Sequence, residues 1–351
     1  QTKYSLMVVN RWLAIHLELF GNLVVLFAAF FAVISSRHLS VSPGLIGLSV
    51  SYALTITEMM NMAIRMLSEM ETNAVSVERV REYSMTESEA PWYSPMAPSD
   101  EWPEKPSIDC TDVSLRYRSD LPLVLHGLDA HIKPGEKIAI VGRTGSGKSS
   151  FTLALFRMVE PSSGSIVLGG IDTSRLGLHE LRSKLAIIPQ EPVLFSGTLR
   201  FNLDPFGQYS DEELWKTLEM CQLKEFASMA EGQLEYRIAE GGKNISVGQR
   251  QLLCLARVLL KRAKVLVLDE ATASVDVVTD SLVQSVVREE FAKSTVIAIA
   301  HRLNTIAGYD RIMVLEKGCL VEFDTPARLL ADKTSRYSRM LEKSRRAEMK
   351  K

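Results

Sequence analysis

Gly142, Gly147, Lys148 and Ser149 stand at the spacing G-x-x-x-x-G-K-S inside the stretch KIAIVGRTGSGKSSFTLALFRMVE, residues 137–160. The apolar run Ile138, Ala139, Ile140, Val141 precedes the glycines, and Phe151, Leu153, Leu155, Phe156 and Val159 follow at helical spacing. Strand, glycine-rich loop and helix in that order make a phosphate loop. Backbone N–H groups along Gly142, Arg143, Thr144, Gly145, Ser146, Gly147, Lys148, Ser149 and Ser150 close around a triphosphate, and the helix N-terminus adds positive potential. The Lys148 ammonium reaches the β- and γ-phosphates, while the Ser149 hydroxyl ligates Mg²⁺. Four further residues have types that suit this chemistry. VLVLDE ends in Asp269, a metal ligand at a strand end, and Glu270, a general base for the attacking water. His301 follows the apolar run at 295–300, where it holds the γ-phosphate or the water, and Gln190 ends IIPQ, where its amide oxygen meets metal and water. Tyr117, ahead of the loop, offers a ring to stack on a base; alone it would read as a core residue. A strand-end Asp-Glu pair alone would read as solvated, and a lone histidine as structural. The phosphate loop in the same domain gives them their chemical reading.

These groups need strands to carry them to one edge. Short apolar runs at 107–117, 123–132, 164–170, 185–188, 265–268, 296–299 and 312–315 have strand length, and helical stretches separate several of them. Near-continuous hydrophobicity in the later runs suits parallel strands buried on both faces, hence an α/β fold. Residues 191–262 read as a helical subdomain. Within it, NISVGQRQLLCLARVLLKR carries an S-x-x-Q capping box, Ser246 and Gln249, ahead of a leucine-rich helical face. A well-capped helix is the plainer reading. Yet Ser246, Val247, Gly248 and Gln249 open a helix in an anion-binding geometry that the chain's own nucleotide does not need, which points to a nucleotide on a partner domain.

Ahead of this domain, residues 19–34 read LFGNLVVLFAAFFAVI without a charge, flanked by Trp12 and Arg11, and predict a membrane span over about 18–36. A second span is expected over 44–66 despite Glu58, Asn61 and Arg65, followed by a helical extension into the cytosol. The expected layout is therefore 1–83 as the end of a transmembrane domain, 84–106 as a proline-rich linker, 107–332 as the nucleotide-binding domain and 333–351 as a basic, solvated tail. A first residue other than Met and no signal-peptide pattern suggest a piece of a longer chain. Net charge is −1, which gives no basic field for nucleic acid. The four cysteines are scattered without a C-x-x-C pair, as expected of reduced thiols.

Phosphate loop, Gln190, ISVGQ, VLVLDE, the ASVD turn with Asp276, and His301 come in the order found in ATP-binding cassette proteins, which the chain resembles from about residue 10 to 330. KPGEKIAIVGRTGSGKSS, IIPQEPVLFSGTLRFNLDPF, SVGQRQLLCLAR and IAHRLNTI resemble the C subfamily, the multidrug-resistance-associated group. The resemblance implies a P-loop ATPase fold with antiparallel β and helical subdomains behind a transmembrane hairpin. It implies ATP and Mg²⁺ as ligands. It also implies a head-to-tail pairing with the first nucleotide-binding domain of a full transporter, in which ATP lies between one domain's phosphate loop and the other's signature. Val247 departs from the glycine of the general signature, as is common in this subfamily. The expected activity is ATP-driven export of amphipathic organic anions and conjugates across a plasma or vacuolar-type membrane, with the nucleotide domain cytosolic. A channel or channel regulator of the same subfamily is the alternative. A soluble ATPase acting on DNA or ribosomes fits poorly with the uncharged run at 19–34.

Overall fold

The computed structural model describes residues 2–38, 42–95, 97–99, 101–269, 277–300 and 305–348. They fall into two compact units, Gln1–Glu89 and Ala90–Lys351.

The first unit is a pair of packed helices, α1 (Thr2–His38) and α2 (Pro43–Ser84). Arg11–Ser35 of α1 is long and apolar enough to cross a membrane, and Leu26, Phe27, Phe30 and Phe31 stand exposed on it. Such a helix, apolar around its circumference and largely exposed, suits hydrocarbon. Pro43 opens α2, where its missing N–H is harmless. The second span expected over 44–66 does not reach the same measure of length and apolarity. Glu58 and Arg65 interrupt that run, and polar Ser and Thr residues dilute it further. The expected helical extension is continuous with that run, because α2 goes unbroken to Ser84. Ser49, Thr55 and Thr72 satisfy their hydroxyls on carbonyls one turn back, at 2.9, 3.0 and 2.9 Å.

The second unit begins with β1 (Ile108–Leu115), β2 (Leu125–Ile132), β3 (Lys137–Val141), α3 (Lys148–Leu155), β4 (Ser163–Leu168) and β5 (Ile171–Asp172). There follow α4 (Leu178–Lys184), β6 (Leu185–Ile188), β7 (Gly197–Thr198), α5 (Leu199–Leu203), α6 (Asp211–Met220), α7 (Lys224–Met229) and β8 (Arg237–Ile238). The chain then forms α8 (Val247–Lys261), β9 (Val265–Asp269), α9 (Val277–Glu290), β10 (Thr295–Ile299), β11 (Arg311–Glu316), β12 (Cys319–Asp324), α10 (Pro326–Ala331) and α11 (Arg336–Glu348).

One sheet has the order β12-β11-β3-β10-β9-β6, parallel except for β12 at its edge. Strand periodicity sends alternate residues to opposite faces. In β9, Val265 and Val267 enter a core shared with the second sheet, β2-β1-β4-β5, while Leu266 and Leu268 enter a core shared with α5 to α9. In β3, Ile138 and Ile140 face the second sheet, and Ala139 and Val141 face Leu329 and Tyr337 of α10 and α11. Burial on both faces is why these strands read as unbroken apolar runs. The second sheet is antiparallel and carries bulges, so its strands alternate less cleanly.

Two sequence expectations change here. The basic tail is not a freely solvated helix: Tyr337 is 1% and Leu341 6% exposed, so α11 packs one face against the sheet. The proline-rich linker is not free either. From Ala90 onward it belongs to the second unit, with Trp102 buried and Pro103 packed over Gly169. Three cysteines, Cys110, Cys221 and Cys254, are buried and unpaired, and burial pushes the Cys110 and Cys221 thiols up to about 12, so they pack as neutral apolar groups.

Candidate functional site

The phosphate loop leaves the end of β3 and enters α3. Gly145 and Gly147 take φ of +78° and +102°, which a side chain would strain. At Gly142 the limit is space, since a Cβ there would lie 2.4 Å from the Leu315 carbonyl oxygen. The loop is tied by Ser146 N–H to Arg143 O at 3.0 Å, and by Gly318 N–H, from the β11–β12 turn, to Ser146 O at 3.0 Å. Gly147 is the N-cap of α3 and supplies no side-chain cap. First-turn N–H groups have no acceptor inside their own helix, so this end is open to an anion. Lys148 is 6% exposed, and its ammonium donates to Gly142 O at 3.0 Å and Arg143 O at 3.3 Å, spanning the loop from within. Ser149 is exposed, whereas Ser150 is buried and its hydroxyl lies 2.8 Å from the Tyr117 phenol. That bond holds the half-exposed Tyr117 ring beside the start of α3. Arg143, Thr144 and Gly145 are exposed on the loop, and the buried Ser146 hydroxyl has no hydrogen-bond partner among the described residues.

Strand register brings Asp269 and Gln190 to the same edge. Ile140 of β3 pairs with Ile299 of β10, which pairs with Asp269 at the end of β9. Asp269 is half-buried and sits two strands from the phosphate loop, about 10 Å at the usual strand spacing. Ile188 of β6 pairs with Leu268, which places exposed Gln190 at the same edge one strand beyond Asp269. Glu270, Asp276 and His301 lie outside the described residues.

Ser246 caps α8 as its spacing predicts. Its hydroxyl accepts from Gln249 N–H at 3.1 Å, and Gln249 Oε1 accepts from Ser246 N–H at 2.9 Å. Ser246 and Val247 are exposed and Gly248 and Gln249 half-buried, while Leu253, Leu255 and Ala256 bury the helix body. Among the described residues no hydrogen bond joins this helix start to the phosphate loop. Ser246→Ala should remove the cap at a cost of about 1 kcal/mol, read as a lower midpoint in thermal denaturation of the intact protein.

Two contributors escape a reading by motif. Gln251, fully buried among leucines on α8, donates to Pro189 O at 3.5 Å and so ties the helix to the turn carrying Gln190. A glutamine on an otherwise apolar helix face is the only hint the sequence offers. The second is α11: Arg336, Arg339 and Lys343 face Arg143 and Lys317 across a cavity of about 480 Å³ beside the loop. Glu316, the acidic residue lining it, is bridged to Arg336 at 3.1 Å. The cations lining this cavity outnumber the single acid and raise the potential around the loop.

A family described as ABC transporter matches residues 125–273. The multidrug resistance protein mrp-7 of Caenorhabditis elegans is 57% identical over 341 residues, covering 97% of this chain and 22% of that protein. ATP-binding cassette sub-family C member 3 of Mus musculus is 54% identical over 333 residues, covering 94% and 22%. Sub-family C member 2 of Rattus norvegicus is 51% identical over 334 residues, covering 95% and 22%. The chain thus spans about a fifth of the length of these curated relatives. The solved structure of a bacterial Atm1-family ABC exporter with ATP bound superposes with a TM-score of 0.71 at 28% identity, over 97% of this chain and 59% of that one.

Proposed function

We propose that this chain carries the nucleotide-binding domain of an ABC transporter of the C subfamily and powers the export of amphipathic organic anions and conjugates by ATP hydrolysis; the ABC transporter match over residues 125–273 and the 51–57% identity to the relatives above support that reading. The observation that supports this best is the shared sheet edge: the phosphate loop after β3, Asp269 ending β9 and Gln190 beyond β6 converge there by register. In this reading the amides of residues 145–149 and the Lys148 ammonium hold the phosphates, and Tyr117 packs against adenine. Ser149, Gln190 and Asp269 are the oxygen donors for Mg²⁺, a set suited to a hard cation, which supplies neutralisation of phosphate charge. Glu270 takes the proton of the attacking water, and His301 steadies the γ-phosphate. The exposed start of α8 with Ser246, Val247, Gly248 and Gln249 serves the nucleotide of a partner domain. The partner is the first nucleotide-binding domain of the full-length transporter, joined to its remaining membrane helices. We place α1 in a plasma or vacuolar-type membrane with the second unit in the cytosol.

Inside-out vesicles carrying the full-length protein should accumulate a labelled glutathione conjugate in an ATP-dependent way. ATP hydrolysis without uptake would favour the channel-regulator alternative or another cargo.

A further inference from the structure

Residues 91–94 lie as a strap along the start of α4. The Leu178 N–H donates to Pro91 O and the His179 N–H to Trp92 O, both at 3.0 Å. These first-turn amides have no acceptor within the helix, and Gly177 has no side chain to offer them, so the strap's carbonyls serve as the cap. Glu180 closes the contact from the other side. Its carboxylate accepts from Gly177 N–H at 2.7 Å, from Ser94 N–H at 3.3 Å and from the Ser94 hydroxyl at 2.7 Å. The rings of Trp92 and Tyr93 flank His179 at 5.5 and 5.3 Å. Packing is close to the backbone: a Cβ at Gly177 would stand 2.5 Å from Tyr93 Cα and 2.6 Å from Trp92 O.

The strap is thus held by a serine hydroxyl donating to an ionised carboxylate. The Ser94 hydroxyl leads the causes that keep Glu180 below the usual carboxylate range. Ser94 is followed by Pro95, the serine-proline pair that proline-directed kinases read. We propose that Ser94 is a phosphorylation site of such a kinase, and that phosphate there releases the strap from α4. In the transfer, the Ser94 hydroxyl oxygen bonds to the γ-phosphorus of the kinase's ATP. The β–γ anhydride bond breaks, ADP leaves, and the hydroxyl proton passes to the kinase's base. The product replaces a donor with an acceptor-only group of about −1.5 to −2 charge, set against a carboxylate that can only accept. Both the hydrogen bond and the electrostatics reverse sign. Ser94 is half-buried when docked, so the kinase meets it in the opened strap, and the phosphate then opposes reclosure. The released segment is the one through which the chain enters the nucleotide domain.

The test is to incubate the full-length protein with ATP and a purified proline-directed serine kinase, map phosphate by mass spectrometry and follow amide hydrogen exchange. The expected result is phosphate on Ser94 and at least tenfold faster exchange at Leu178 and His179, with β3 unchanged. Gly177→Ala, which displaces the strap without adding charge, should give the same gain in exchange and faster phosphorylation. Glu180→Gln, which removes the repelling charge, should cut the phosphate-induced gain to less than threefold. Ser94 left unmodified in the Gly177→Ala protein would overturn the site. Phosphate on Ser94 with unchanged exchange would overturn the release.

Discussion

Full-length protein carrying Glu270→Gln should bind ATP as the unaltered protein does and turn it over about a hundredfold to a thousandfold more slowly. The amide keeps the shape of the side chain but cannot take a proton from water. At about 1.4 kcal/mol per tenfold, the loss corresponds to about 3–4 kcal/mol of barrier. Its basis is position in the chain: Glu270 follows Asp269, the last residue of a buried strand whose register leads to the phosphate-loop edge. Phosphate release and fluorescent-nucleotide binding, measured on one preparation, separate the two steps. Turnover at the normal rate would remove Glu270 as the base.

Lys148→Ala should act on binding itself. The ammonium is buried at 6% exposure and joins the two carbonyls at the start of the loop. Its loss takes away a charged partner for the phosphates and also two internal ties. Truncating one side of a buried charged contact costs about 2–5 kcal/mol, so ATP affinity should fall by about thirtyfold or more. Lys148→Arg should recover part of it at most, because a planar guanidinium does not fit a point-charge position. Unchanged affinity in the alanine protein would argue against a phosphate-binding role for this loop. A thermal midpoint measured without nucleotide separates loosening of the loop from loss of the phosphate contact.

The parts of the fold legible in the sequence were those whose signal is local. The runs at 185–188, 265–268 and 296–299 lie on β6, β9 and β10 within one residue, because strands buried on both faces are apolar at every position. β12 escaped notice: CLVEFD lies at a sheet edge, half-exposed, with Glu322 and Asp324 among its apolar residues. The helix after the loop looked longer than it is. Its apolar spacing continues to Val159, but α3 stops at Leu155. Arg157 turns left-handed at φ +49° and buries its guanidinium on the carbonyls of Thr173 and Leu176 at 2.7 Å, a distant contact invisible to spacing. The candidate site was legible through spacing where residues lie on one loop, and through strand ends where they do not. Gln251 and the cations of α11 were not, since each acts through a contact between segments far apart in sequence. The strap was hidden for the same reason: prolines mark 84–106 as irregular, but irregular backbone can still be held in place by hydrogen bonds.

α2 has a mechanical consequence of its own. At 42 residues it is about 63 Å long, roughly twice the thickness of a hydrocarbon layer. Its glycines and proline, Pro43, Gly44 and Gly47, sit in the first two turns, and none follows up to Ser84. Kinks need such residues or an inserted group, so the remaining length behaves as a stiff rod. Tilting the rod by about 5° around its midpoint would shift each end by about 3 Å, the length of one hydrogen bond.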